Sequence, residues 1–241
     1  LKKINDETLK PYPDLVTEDF EVLLNADRFG ITDKKIKILS RDTEYDENDK
    51  NTMYVIFSVE GCHSLSSTLD KTRVSKNEIL KNLDEIADKY PLVSVNVTHL
   101  EQYPFCNHAY GIQFIANEDF RPTGNRISEE GLEIIRHCYK RKIMVDLKHL
   151  SLASRRMLTE NIRNRPEFLP INQPLICTHA GFTGLSYKDI PDYMDYKPER
   201  KKNYSYILWG KPKKYGMLDF MTAFNPSSIN LYDEDIIAIL K

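Results

Sequence analysis

The feature that most constrains this chain is an alternation. Four short runs of apolar and β-branched residues are separated by segments with helical spacing. Met53 to Val59 reads MYVIFSV, Leu92 to Thr98 reads LVSVNVT, Ile143 to Leu147 reads IMVDL, and Pro174 to Thr178 reads PLICT. Nearly continuous apolar runs suit strands buried on both faces, as in parallel sheets. Between them, Ser75 with Glu78 makes a capping-box pattern and predicts a helix to about Tyr90. Ser128 predicts a helix through Tyr139, with Leu132, Ile135 and Tyr139 on one face, and Ser151 predicts another through about Asn161. Upstream, Leu15 to Phe29 carries Leu15, Val16, Phe20, Leu23, Leu24 and Ala26 at helical spacing, whereas Lys34 to Asp49 is polar and mixed.

Strands alternating with helices predict right-handed βαβ units and a parallel sheet. The length of 241 residues is close to the roughly 250 of a (β/α)8 barrel. The expectation is therefore an α/β, TIM-type (β/α)8 barrel forming a single domain over residues 1–241. Only four strands are convincing, so the barrel is expected to be incomplete at both ends of the chain given. Leu1 is not an initiator methionine, and Asp233 to Lys241 reads as an amphipathic helix that stops abruptly.

Composition removes several function classes. The formal net charge of -2 argues against a dedicated nucleic-acid binder. No apolar run approaches the roughly 18 residues of a membrane span. The four cysteines, Cys62, Cys106, Cys138 and Cys177, never fall as CxxC and read as free buried thiols. Tyr187 to Tyr215, rich in lysine, arginine and tyrosine, reads as an insertion or loop region.

The chemistry lies just past the strand runs. Glu60 follows the first, His99 the second, His149 the third after Lys148, and His179 the fourth. In a parallel α/β barrel all strand C-termini open on one face, so these residues, 39, 50 and 30 positions apart, are expected to converge. Imidazole and carboxylate donors suit Zn²⁺ or a similar divalent ion. Among the other candidates, His63 reads as a loop-orienting residue, His108 as pocket-lining or surface, and His137 as structural. Asp146, two residues inside a strand end, reads as an anchor for loop amides or for a ligand histidine.

These segments resemble those of the membrane dipeptidase (renal dipeptidase, peptidase M19) family. SVEGCHSL (Ser58 to Leu65) is similar to its glutamate-bearing VEGGHSL, and VNVTHLEQYPFCNH (Val95 to His108) to its LTLTH…N segment. GLEIIRHCYKRKIMVDLKHLS (Gly131 to Ser151) resembles a helix and strand ending in VDLSH, and PLICTHAG (Pro174 to Gly181) the segment ending in SHS. The resemblance runs from about Met53 to Pro191 and implies a dipeptidase that cleaves the amide of dipeptides or similar small amides with a metal-activated water. It implies that Glu60 bridges two zinc ions, that His149 and His179 ligate one of them, and that His99 contacts substrate and steadies the tetrahedral intermediate. Asn107 and Lys188 take substrate-binding roles by the same resemblance, Lys188 in a faint echo (Lys188-Asp-Ile-Pro-Asp192) of an arginine-bearing segment. A peptide or amide substrate and a homodimer are the implied partners, and the compartment stays open.

The sequence also departs from that pattern. It contains no His-x-Asp pair, the family's completion of the second metal site; Lys148 replaces a serine and Cys62 a glycine. A metal-binding homologue without catalysis, serving as a binding or scaffold protein, is the alternative; an amidohydrolase of lactones or non-peptide amides is another. The chain as given is expected to be weak or inactive as a dipeptidase, and a longer parent carrying His-x-Asp active.

Overall fold

The computed structural model describes residues 11–40, 44–68, 70–100, 102–109, 126–184, 186–189 and 229–241. Residues 190–228, which hold most of the expected insertion, lie outside them. The chain divides into two compact units, Leu1–Val95 and Asn96–Lys241.

The first unit opens with helix α1, Tyr12–Leu24. The expected helix ran to Phe29; it stops earlier because the Asn25 side chain donates to the Glu21 carbonyl at 2.7 Å and competes with the next helical turn. Strand β1, Lys35–Ile38, arises in a segment whose sequence is too polar to announce it, and pairs in parallel with β2, Thr52–Val55. After Ile56, strand β3 spans Phe57–Glu60, with Phe57 and Val59 buried and Ser58 and Glu60 exposed. Phe57 stacks on Phe20 of α1 with ring centroids 4.0 Å apart, and Tyr90 meets both rings edge-on. Helix α2, Lys76–Lys89, buries Ile79, Leu83 and Ile86. Its start is as expected, but the capping box is not made. Glu78 instead accepts from the Ser67 amide at 2.9 Å and from the Ser67 hydroxyl, tying down the turn that follows β3.

In the second unit, helix α3, Glu129–Lys140, is capped as expected, Ser128 Oγ accepting from the Gly131 amide at 3.1 Å. Gly131 is required there, because a Cβ would sit 2.1 Å from the Phe105 carbonyl oxygen. Helix α4, Leu152–Arg156, starts on Ser151, whose Oγ accepts from the Ser154 amide at 3.1 Å, and widens into a π-helical turn over Met157–Ile162. Helix α5, Asp233–Leu240, starts where the Asp235 carboxylate accepts from the Tyr232 amide at 2.9 Å. Strand β4, Leu92–Asn96, contains the division between the units, and β5, Met144–Val145, is only two residues long.

The strands form a two-stranded sheet, β1-β2, and a three-stranded sheet, β3-β4-β5. This corrects the expected TIM-type (β/α)8 barrel, because among the described residues no barrel closes. Closure demands that every strand have two neighbours. Two local causes are visible. The run MYVIFSV breaks at Ile56, which is 60% exposed, so its halves serve different sheets, and Met53 is 41% exposed rather than enclosed. The run PLICT yields a single parallel bridge, Asp146 to Ile176. Pro174 has no N–H to give a ladder, and the Thr178 amide bonds the Asp146 side chain at 3.3 Å instead of a neighbouring strand. No helix among the described residues is long and apolar enough to cross a membrane.

Candidate metal centre

The second unit gathers three imidazoles. His99 lies three residues beyond β4, His149 four beyond β5, and His179 one beyond Thr178. The His99 and His149 rings meet edge-to-face at 4.4 Å between centroids, and those of His149 and His179 at 5.3 Å. His149 is buried between a half-buried His99 and an exposed His179.

Loop geometry explains how His149 is held. Its φ is +68°, a left-handed conformation that non-glycine residues seldom adopt and that costs on the order of 1 kcal/mol or more. The surroundings enforce it. The His149 carbonyl accepts from the Ala109 amide at 2.7 Å, and the Leu150 amide returns to the Leu147 carbonyl at 3.2 Å. Asn96 Nδ2 donates to the Lys148 carbonyl at 3.0 Å, and Asp146 Oδ1 accepts from the Lys148 amide at 2.9 Å.

Asp146 also controls His179. Thr178 Oγ1 lies 2.6 Å from Asp146 Oδ2 and 3.0 Å from His179 Nδ1. A hydroxyl has one proton, and a carboxylate only accepts. Thr178 therefore donates to Asp146, and its oxygen accepts from an Nδ1–H of His179. Metal-binding histidines commonly have one ring nitrogen held in this way by a neighbouring acceptor. Asp146 thus anchors loop amides, the first of the two alternatives expected of it, and reaches His179 through Thr178, whose role the sequence did not announce. Burial, with Asp146 adding to it, pushes the thiol of Cys177 up to about 11.

The remaining candidates sit as follows. Glu60 is the last residue of β3 in the first unit, exposed, with its carbonyl accepting from Ser64 Oγ at 3.4 Å. Asn107 is buried, and its carbonyl accepts from the Ser151 amide at 3.0 Å and from Ser154 Oγ at 3.1 Å, which joins it to the start of α4. Lys188 is exposed in the short turn Tyr187–Asp189, near the carboxylate of Glu234. His108 is fully buried and bridges Leu150, His137 is half-buried in α3, and His63 lies edge-on to Tyr12 at 6.2 Å.

No protein-family model matches this chain, and no curated protein matches it. Among solved structures, a metallo peptidase from Rhodobacter sphaeroides, crystallised with a phosphinate mimic of the dipeptide L-Ala-D-Ala, is similar at 17% identity and a TM-score of 0.44. The match covers 85% of this chain and 40% of that one. A likeness this loose assigns neither fold nor activity.

Proposed function

We propose that this chain is a metal-dependent hydrolase of dipeptides or similar small amides, in which His149 and His179 take a divalent ion, zinc by donor type. The observation that carries the reading is the imidazole cluster, with Thr178 and Asp146 orienting the His179 ring. A buried, backbone-strained histidine beside an exposed, oriented one is the donor chemistry a catalytic divalent ion needs. Glu60 enters the reading by its place at the end of β3 and its VEG segment. When bound, such an ion supplies Lewis acidity to a carbonyl and acidifies water. His99, packed on His149, is the group assigned to steady negative charge developing on the substrate oxygen. Asn107 and Lys188 are the assigned substrate contacts, Lys188 as a point charge for a carboxylate.

A second reading, metal binding without turnover, is favoured by the absence of any His-x-Asp pair in these 241 residues. One experiment separates the two. Zn²⁺ is titrated against the chain and its Glu60→Gln, His149→Ala and His179→Ala variants, and a dipeptide panel is assayed alongside. The hydrolase reading expects stoichiometric Zn²⁺, weakened about a hundredfold or more by each histidine variant, and zinc-dependent cleavage lost in all three. Binding with that mutational pattern but no cleavage supports the second reading. Zinc affinity indifferent to both histidine variants sinks both.

A further inference from the structure

We infer that Arg155, Asn230 and Asp235 form a positioning device that sets the spacing of the two histidine loops in the second unit. The inference rests on the metal-site reading above and adds to it residues that lie outside the site.

Arg155, in α4, is 1% exposed, and among the described residues its guanidinium donates in three directions. Nε reaches both carboxylate oxygens of Asp235 on α5, at 3.2 and 3.1 Å. Nη1 donates to the Leu150 carbonyl at 2.9 Å, one residue past His149. Nη2 donates to the Asn230 carbonyl at 2.9 Å. Asn230 passes the connection on, because its Oδ1 accepts from the Gly181 amide at 3.0 Å, two residues past His179. One buried cation therefore ties the His149 loop directly, and the His179 loop through one side chain.

Two further observations argue that the spacing matters. A Cβ on Gly181 would lie 2.7 Å from Asn230 Oδ1, so the loop approaches Asn230 as closely as glycine allows. Asp235, fully buried, holds the guanidinium while also accepting from the Tyr232 amide at 2.9 Å and from the Tyr187 hydroxyl. The opposite charges meet in the interior, and these hydrogen bonds hold the guanidinium in place. Its other two ties end on the backbone beside the proposed ligands. Removing partners that orient metal ligands commonly costs about 10- to 100-fold in metal affinity.

The test uses the whole 241-residue chain and Zn²⁺ alone, with affinity read by competition against a chromophoric chelator and unfolding followed in parallel. Asn230→Ala removes the acceptor for the Gly181 amide and leaves the carbonyl that Arg155 uses. It is expected to weaken Zn²⁺ binding about tenfold or more with an unfolding midpoint near that of the parent chain. Asn230→Asp keeps an acceptor oxygen and is expected to recover most of the affinity. Gly181→Ala, which pushes the loop off Asn230, is expected to weaken Zn²⁺ as well and serves if Asn230→Ala does not fold. Folded Asn230→Ala or Gly181→Ala chains with unchanged Zn²⁺ affinity, where His179→Ala loses it, overturn the positioning role alone. If His179→Ala itself changes nothing, it is the metal-site reading that falls.

Discussion

Two ion pairs, one from each unit, are secured in opposite ways. In the first, Lys89 meets Glu21 at 2.8 Å on the surface, both side chains about half exposed, with the Tyr90 hydroxyl also donating to Glu21. In the second, Arg155 meets Asp235 at 3.1 Å with 1% and 0% exposure. The first pair would be well solvated if parted. The second has no water to fall back on, so each member depends on the other. An exposed pair therefore decorates a fold, whereas a buried one becomes a condition of it.

The sharpest way to break that contrast is Asp235→Ala, which leaves the Arg155 guanidinium buried and unbalanced. A loss of about 3–5 kcal/mol is expected, read from chemical denaturation. A loss under about 1 kcal/mol would show that the interior readily admits water and that the two pairs differ little.

Thr178→Val probes the same dependence at the scale of one hydrogen bond. It removes the link from Asp146 to His179 at nearly constant volume. Zn²⁺ affinity is expected to fall about 10- to 100-fold, measured by chelator competition.

The helix starts extend the comparison. Ser128 caps α3 with its side chain, whereas Ser75, at the same position on α2, makes no side-chain cap bond. Ser128→Ala should cost about 1 kcal/mol and Ser75→Ala a few tenths at most, by thermal unfolding. Equal costs would undo the distinction.

The smallest effect belongs to the surface pair. The bond from Lys89, and then that from Tyr90, hold the Glu21 carboxyl below its usual range. A lowered folded-state value means that the stability Glu21 contributes is present above the unfolded value and is lost as pH falls through the folded one. Glu21→Gln is therefore expected to lower the unfolding midpoint marginally at neutral pH and not at all in acid. A difference that persisted in acid would mean packing, rather than charge, explains it.

Much of the candidate site was legible in sequence because its signals are local. A histidine just past a β-branched run shows in a few adjacent residues, and so does a serine ahead of a helical face; His99, His149, His179, Ser128 and Ser151 all followed from such patterns. Glu78 shows the limit. Its spacing from Ser75 matched a capping box, yet it serves Ser67, because a carboxylate at a helix start takes whichever donors the preceding turn presents.

By itself the sequence determined where the helices of the second unit begin and which histidines stand past its strand runs, since both depend on neighbours within a turn or two. Tertiary structure alone decided the rest. Whether MYVIFSV is one strand or two depends on which partners each half finds, so the barrel expectation failed at Ile56 and at PLICT. Arg155 and Asp235 are 80 positions apart, and nothing in either segment marks the other. Their pairing exists because packing removes both from water at once, and a buried charge is tolerable only where its counter-charge is already in reach.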